Sequence, residues 1–173
     1  AVWDARDRTL HLCRDRFGEK PLLYVRPTPT TNATRPVGGG VRLAYASEAK
    51  ALLAVGLAAP RLSAPALAEF LATHAIDHRP GQTLFLEIAQ VEPGTFLTLR
   101  PDGQLRHDRY YRLPLPTADR SLDGAGRAAL LGDVDALLRD AVRLRLRSDV
   151  PLAGSLSGGM DSSLLTALVR DEL

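Results

Sequence analysis

Leu156-Ser157-Gly158-Gly159-Met160-Asp161-Ser162-Ser163 places three hydroxyls, two adjacent glycines and one carboxylate between two apolar runs. The run before it, residues 150–156, reads as a buried strand, and Leu164 to Val169 continues as a helix. A strand, a glycine turn and a helix start favour an anion. Paired glycines accept backbone angles closed to other residues and leave the following N–H groups facing outward. The helix start adds unpaired donors and the positive end of its dipole. A phosphate group is the expected guest, with Ser157, Ser162 and Ser163 as hydroxyl donors. Asp161 would repel phosphate unless it caps the helix or reaches a bridging metal ion. A valine at Gly159 is expected to block the loop's backbone conformation.

The phosphate loop of nucleoside triphosphatases requires a lysine after its second glycine, and Met160 and Asp161 stand there instead. A serine and glycine turn that merely caps a helix is the plainer alternative, and the ordered placement between strand and helix argues against it.

The elements that must position this loop follow from the rest of the chain. Its 173 residues suffice for one well-cored domain or parts of two, and 45% apolar content is that of a folded globular chain. A net charge of +2, with the basic residues spread through the sequence, implies no nucleic-acid stripe. A single cysteine, Cys13, excludes an internal disulfide framework, no apolar run reaches the length of a membrane span, and a reducing cytoplasm is the expected setting. The chain opens on Ala1-Val2-Trp3-Asp4 and closes on Asp171-Glu172-Leu173, just as the loop's helix has begun. One strand cannot make a parallel nucleotide-binding sheet, so a fragment is expected.

Thr9 to Cys13 alternates as a half-buried strand, and Leu22 to Val25 makes a second. Between them, Arg14-Asp15-Arg16-Phe17-Gly18-Glu19-Lys20-Pro21 reads alone as a solvated hairpin loop bent at Gly18 and Pro21. Residues 27–40, rich in threonine, proline and glycine, read as a flexible excursion, and Asn32-Ala33-Thr34 as an accidental glycosylation match. Residues 41–46 alternate as a strand, with Ser47 capping a helix over Glu48 to Leu53 that Gly56 stops. Ser63 caps a second helix with Pro65 in its first turn and Leu67, Phe70 and Leu71 on one apolar face. His74 and His78, four apart with Asp77 nearby, have no further cluster and read as loop residues, not metal ligands.

Thr83 to Phe85 is a short expected strand, and Thr95 to Arg100 with Leu105 to Arg112 a hairpin about Pro101-Asp102-Gly103-Gln104. Prolines 114 and 116 forbid continued pairing and put a domain boundary within residues 113–122. Arg127 to Arg147 is helical, with its arginines on a solvated face.

Three stretches, residues 14–22, 46–52 and 149–163, closely resemble glutamine-hydrolysing asparagine synthetase in content, order and spacing, with residues 27–40 as an insertion. Gln82 to Phe85 and Val91 to Gly94 are similar to the family between these marks. The resemblance implies the C-terminal half of an α+β N-terminal-nucleophile glutaminase domain, with two facing sheets between helix layers, over residues 1–116. Over residues 117–173 it implies the opening helix, strand, loop and helix of an α/β ATP-pyrophosphatase domain, similar to the adenine nucleotide alpha hydrolases.

The reaction it implies hydrolyses glutamine, channels the ammonia and captures aspartate as its β-aspartyl-AMP, with ATP and Mg2+ and release of pyrophosphate. Leu156, Ser157, Gly158, Gly159, Asp161 and Ser162 match the family's ATP-binding loop. No catalytic residue is carried over: the family's nucleophilic cysteine is the first residue of the mature protein, where Ala1 stands, and Cys13 reads as a strand packing residue. The implied partners are small molecules, with no nucleic acid or membrane and room for a homodimer. Rival readings are a β-lactam-forming or peptide-cyclising relative, and a non-catalytic nucleotide-binding remnant.

Overall fold

A computed structural model describes residues 1–27, 42–74, 79–115 and 123–173. The chain divides into two compact units, Ala1–Pro114 and Leu115–Leu173.

Among its described residues the first unit holds seven short strands and two helices: β1 Val2–Asp4, β2 Thr9–Cys13, β3 Leu23–Val25, β4 Ala44–Ala46, α1 Ala49–Ala54, α2 Ala64–Thr73, β5 Ala89–Gln90, β6 Thr95–Leu99 and β7 Leu105–Arg109. Two antiparallel sheets result, a four-stranded one in the order β1-β2-β6-β7 and a three-stranded one in the order β4-β3-β5. The alternation of β3 explains how they stack. Leu23 and Val25 turn to one face, where they join Leu52 of α1, Ala58 and Ile88. Tyr24, on the opposite face, packs with Leu12 and Leu97 of the larger sheet and with Val91. The small sheet is therefore covered on one side by α1 and on the other by its neighbour, an α+β arrangement of two facing antiparallel sheets. Leu12 and Leu97 are about 1% exposed, and truncating a leucine of that kind to alanine costs about 2–5 kcal/mol.

Helix ends follow local chemistry. α1 stops in a Schellman motif: Gly56, at φ 73°, donates its N–H to Leu53 O and Leu57 donates to Leu52 O. Its N-cap is Glu48, not the expected Ser47, and no side chain caps it. Ser63 does cap α2, accepting from the Ala66 amide at 3.4 Å with Pro65 in the first turn. Of the expected apolar face, Leu67 and Phe70 are half-buried, but Leu71 is 67% exposed, one position too far round the helix.

Other corrections have one cause: strand status depends on a partner. Thr83 to Phe85 is reduced to a single bridge, Phe85 with Leu62. Residues 151–156 are exposed and belong to no strand, because the second unit offers no strand to pair with among the described residues. Among its described residues that unit holds two helices, α3 Gly124–Arg145 and α4 Met160–Glu172. Asp123 caps α3 by accepting from Gly126 at 2.7 Å. Val142 and Leu168 are buried, while Arg143 reaches Glu172 at 3.0 Å and Arg139 reaches both Asp135 at 2.9 Å and Asp171 at 3.7 Å. Two of the arginines read as merely solvated thus clasp α4. Among the described residues, no helix is long and apolar enough to cross a membrane.

Candidate functional site

The loop before α4 keeps the features its residue types require. Gly158 sits at φ 81°, a left-handed backbone that L side chains rarely adopt, and a Cβ there would meet nothing within 4 Å. Gly159 is the N-cap at φ −76°, ψ 163°, which any residue tolerates. The conformational demand therefore falls on Gly158, and the expectation that a valine at Gly159 blocks the backbone is corrected on that ground. Ser157 Oγ lies 3.0 Å from Ser162 Oγ and accepts from the Gly159 amide at 3.4 Å. Ser162 and Ser163 both donate to Gly159 O, at 3.1 and 2.8 Å.

The first helical amide bond runs from Ser163 N–H to Gly159 O, so the amides of Met160, Asp161 and Ser162 lie in the turn that has no partner four residues back. Asp161 is exposed in this first turn and does not cap it, since no side chain does. Of its two expected roles, capping is excluded. Leu156 is 63% exposed and belongs to no strand, so it does not end a buried one. The six expected residues fall within the seven positions 156–162, and the structure brings Ser157, Gly159 and Ser162 into mutual contact.

In the first unit, the stretch read as a solvated hairpin loop is exposed at Arg16, Phe17, Glu19, Lys20 and Pro21, and is anchored inward at Arg14. β2 and β3 belong to different sheets, and the segment crossing between them is organised by Arg14, 9% exposed. Its Nη1 donates to Gln90 Oε1 and to Val91 O, both at 2.8 Å, while Nη2 meets Gly18 O at 3.0 Å and Nε meets Lys20 O at 3.2 Å. A buried guanidinium is stable only when its donors are used, and four are. The Asp15 carboxylate accepts the amides of Glu19 at 2.8 Å and Lys20 at 3.1 Å, and those two amides hold its carboxyl below the usual carboxylate range. Tyr110 Oη donates to Arg14 O at 2.7 Å, and loss of hydration there pushes its phenol up. Phe17 stands 63% exposed above this frame, edge-on to Tyr111.

Arg14 was hidden in the sequence because arginine counts as a surface residue. The one local signal was Asp15 followed three residues later by Gly18, the pattern of a tight side-chain-capped turn. Cys13 is exposed at the end of β2, which corrects its reading as a packing residue. His74 ends α2 in a left-handed conformation at φ 57° against the Phe70 ring, while Asp77 and His78 lie outside the described residues. Among the described residues, no three histidines, cysteines or acids gather as a metal site.

Comparison with known proteins decides the family. The model of the glutamine amidotransferase domain matches residues 1–111. The chain belongs to the glutamine amidotransferase family. A second family model, of asparagine synthase, matches residues 133–173 of this amidotransferase chain. Asparagine synthetase [glutamine-hydrolyzing] 1 of Bacillus subtilis strain 168 is 29% identical over 170 residues, covering 98% of the chain and 24% of that relative. The same organism's asparagine synthetase [glutamine-hydrolyzing] 3 is 33% identical over 168 residues, with 97% and 24% covered. Amidase chyE of Penicillium rubens is 34% identical over 170 residues, with 98% and 22% covered. The chain spans about a quarter of the length of these relatives.

Proposed function

We propose that this chain serves a glutamine-hydrolysing asparagine synthetase, with residues 1–114 in its glutaminase part and residues 156–163 forming the ATP-binding loop of an ATP-pyrophosphatase part. The observation that carries the reading is the conjunction of an amidotransferase match and an asparagine synthase match, in that order, on one short chain.

The loop fits a diphosphate chemically. Left-handed Gly158, with open space where a Cβ would stand, admits close approach of the backbone, the amides of the first α4 turn supply donors, and the Ser157 and Ser162 hydroxyls add theirs by rotating away from the loop's own oxygens. Leu156 and Gly159 complete the set at the mouth of the loop. Gripping the β,γ-diphosphate leaves the α-phosphorus open to attack by the aspartate carboxylate, giving β-aspartyl-AMP and pyrophosphate. Ammonia from glutamine then displaces AMP to yield asparagine. Asp161 suits Mg2+, which binds proteins through one or two carboxylates and takes its other ligands from phosphates and water. Magnesium supplies neutralisation of phosphate charge when bound.

The names of two relatives, amidases of Penicillium rubens and Gibberella zeae, favour a second reading in which the same architecture acts on a different carboxylate. The test is an assay of the full-length protein with glutamine, ATP and a panel of carboxylates, following amide product, AMP and pyrophosphate. Asparagine formed with aspartate supports the first reading; turnover with another carboxylate and none with aspartate supports the second. Failure of ATP turnover with every acid contradicts both. The 173-residue chain alone is expected to produce neither glutamate from glutamine nor asparagine.

A further inference from the structure

At one end of the four-stranded sheet two hairpin turns lie side by side, residues 5–8 between β1 and β2 and residues 100–104 between β6 and β7. The pairing of Leu10 with Leu99 makes them neighbours. Arg42, just ahead of β4, crosses to the second turn and donates to Pro101 O. A cleft of about 290 Å³ opens among Trp3, Arg8, Arg42, Leu99, Arg100 and Pro101.

Its charge is one-sided. Three guanidiniums line the cleft and, among the described residues, no carboxylate does. The acids of the two turns stand outside the lining: Asp4 accepts the Arg6 amide at 2.8 Å and Asp102 the Gln104 amide at 2.8 Å, and neither they nor Asp7 form an ion pair with Arg8, Arg42 or Arg100. Among the described residues the Arg8 and Arg100 side chains have no hydrogen bond or ion pair, and Arg42 is bonded to a carbonyl, not an acid. Guanidiniums that share a cleft wall without an ion-pair partner are free to take up an anion there.

Arg8 also holds an uncommon backbone. It sits at φ 53°, left-handed, at the end of its turn, as Gly103 does at φ 88° in the adjacent hairpin. The second hairpin uses a glycine where the first places an arginine, at a conformational cost of roughly 1 kcal/mol.

We propose that this cleft binds a phosphate chain, free or carried by a nucleotide. Arg8, Arg42 and Arg100 grip the phosphates and the 58%-exposed indole of Trp3 forms an apolar wall. A phosphate chain brings more charge than a dicarboxylate, and its tetrahedral oxygens meet guanidinium forks from several directions. The site lies in the first unit, shares no residue with the loop at 156–163, and stands whether or not that loop binds ATP.

Trp3 is the chain's one tryptophan, so its emission reports on the cleft. The full chain is titrated with tripolyphosphate, ATP and adenosine at constant ionic strength. Tripolyphosphate and ATP are expected to change the emission saturably and adenosine is not. The Arg8→Gln/Arg100→Gln double variant is expected to weaken the response at least about tenfold, with circular dichroism to check its fold. Should that variant unfold, Arg100→Lys keeps the charge, loses the fork and weakens binding several-fold. Tighter binding of ATP than of tripolyphosphate identifies a nucleotide stacked on the indole, and equal binding identifies the phosphate chain alone; either upholds the site. No saturable response to either anion, a response the arginine variants keep, or one that adenosine reproduces overturns it.

Discussion

Arg14 Nη1 donates to Gln90 Oε1 at 2.8 Å across 76 positions of sequence, and both residues are more than nine-tenths buried. This single contact ties the end of the larger sheet's second strand to the edge of the smaller sheet. Gln90 passes the link onward, donating from Nε2 to Gln82 O at 3.0 Å. The loop that carries Phe17, Glu19 and Lys20 is held by the Arg14 bonds on its inner side and by the Asp15 carboxylate on its exposed side.

Arg14→Met is accordingly expected to destabilise the first unit by about 3 kcal/mol, because Gln90, Val91, Gly18 and Lys20 lose their donor together. Urea unfolding followed at Trp3 measures it. A change under about 0.5 kcal/mol, the scale of an ordinary surface substitution, would show that the guanidinium is not the hub.

Gly94 and Gly124 make a contrasting pair. Gly94 has φ 64°, and a Cβ there would stand 2.9 Å from Tyr111 O, so Gly94→Ala is expected to lose about 1–3 kcal/mol. A Cβ on Gly124, at the start of α3, meets nothing within 4 Å, and Gly124→Ala should be neutral or stabilising by up to about 1 kcal/mol. Thermal unfolding of the two variants against the parent checks the opposite signs.

Asp15 gives the first unit an acid-sensitive element. Its folded carboxyl titrates below its unfolded value because the Lys20 and Glu19 amides hydrogen-bond the ionised form. The sign follows: the stabilisation is complete above the unfolded value and is lost as pH falls through the folded one. Asp15→Asn should flatten this acid limb while changing stability little in its pH dependence near neutrality. An unaltered acid limb would assign the behaviour to other carboxylates, of which Glu87 is also lowered, its bonds to the Ala59 amide and Arg61 overcoming the upward push of burial.

Local features were legible in the sequence because their causes are local. The alternation of Thr9 to Cys13 and Thr95 to Leu99, the Pro101-Asp102-Gly103 turn, the Ser63 cap and the glycine break before α4 each depend on a few adjacent residues. Long-range features were not. Nothing beside Arg14 in the chain announces that Gln90 and Val91 will receive its guanidinium, so a charged stretch reads as solvated. The two-residue β5 and three-residue β1 are too short to show a period. Residues 150–156 had the content of a strand without the neighbour that makes one. At the loop, residue types predicted a glycine with special geometry but not that Gly158, and not Gly159, carries it.

The most direct measurement on the full-length protein compares Gly158→Val with the parent, following pyrophosphate release and glutamine hydrolysis side by side. A valine at φ 81° cannot keep the loop's backbone, so pyrophosphate release is expected to fall at least about a hundredfold while glutamine is still hydrolysed. Pyrophosphate release at the parent's rate would contradict the assignment of residues 156–163 to the nucleotide.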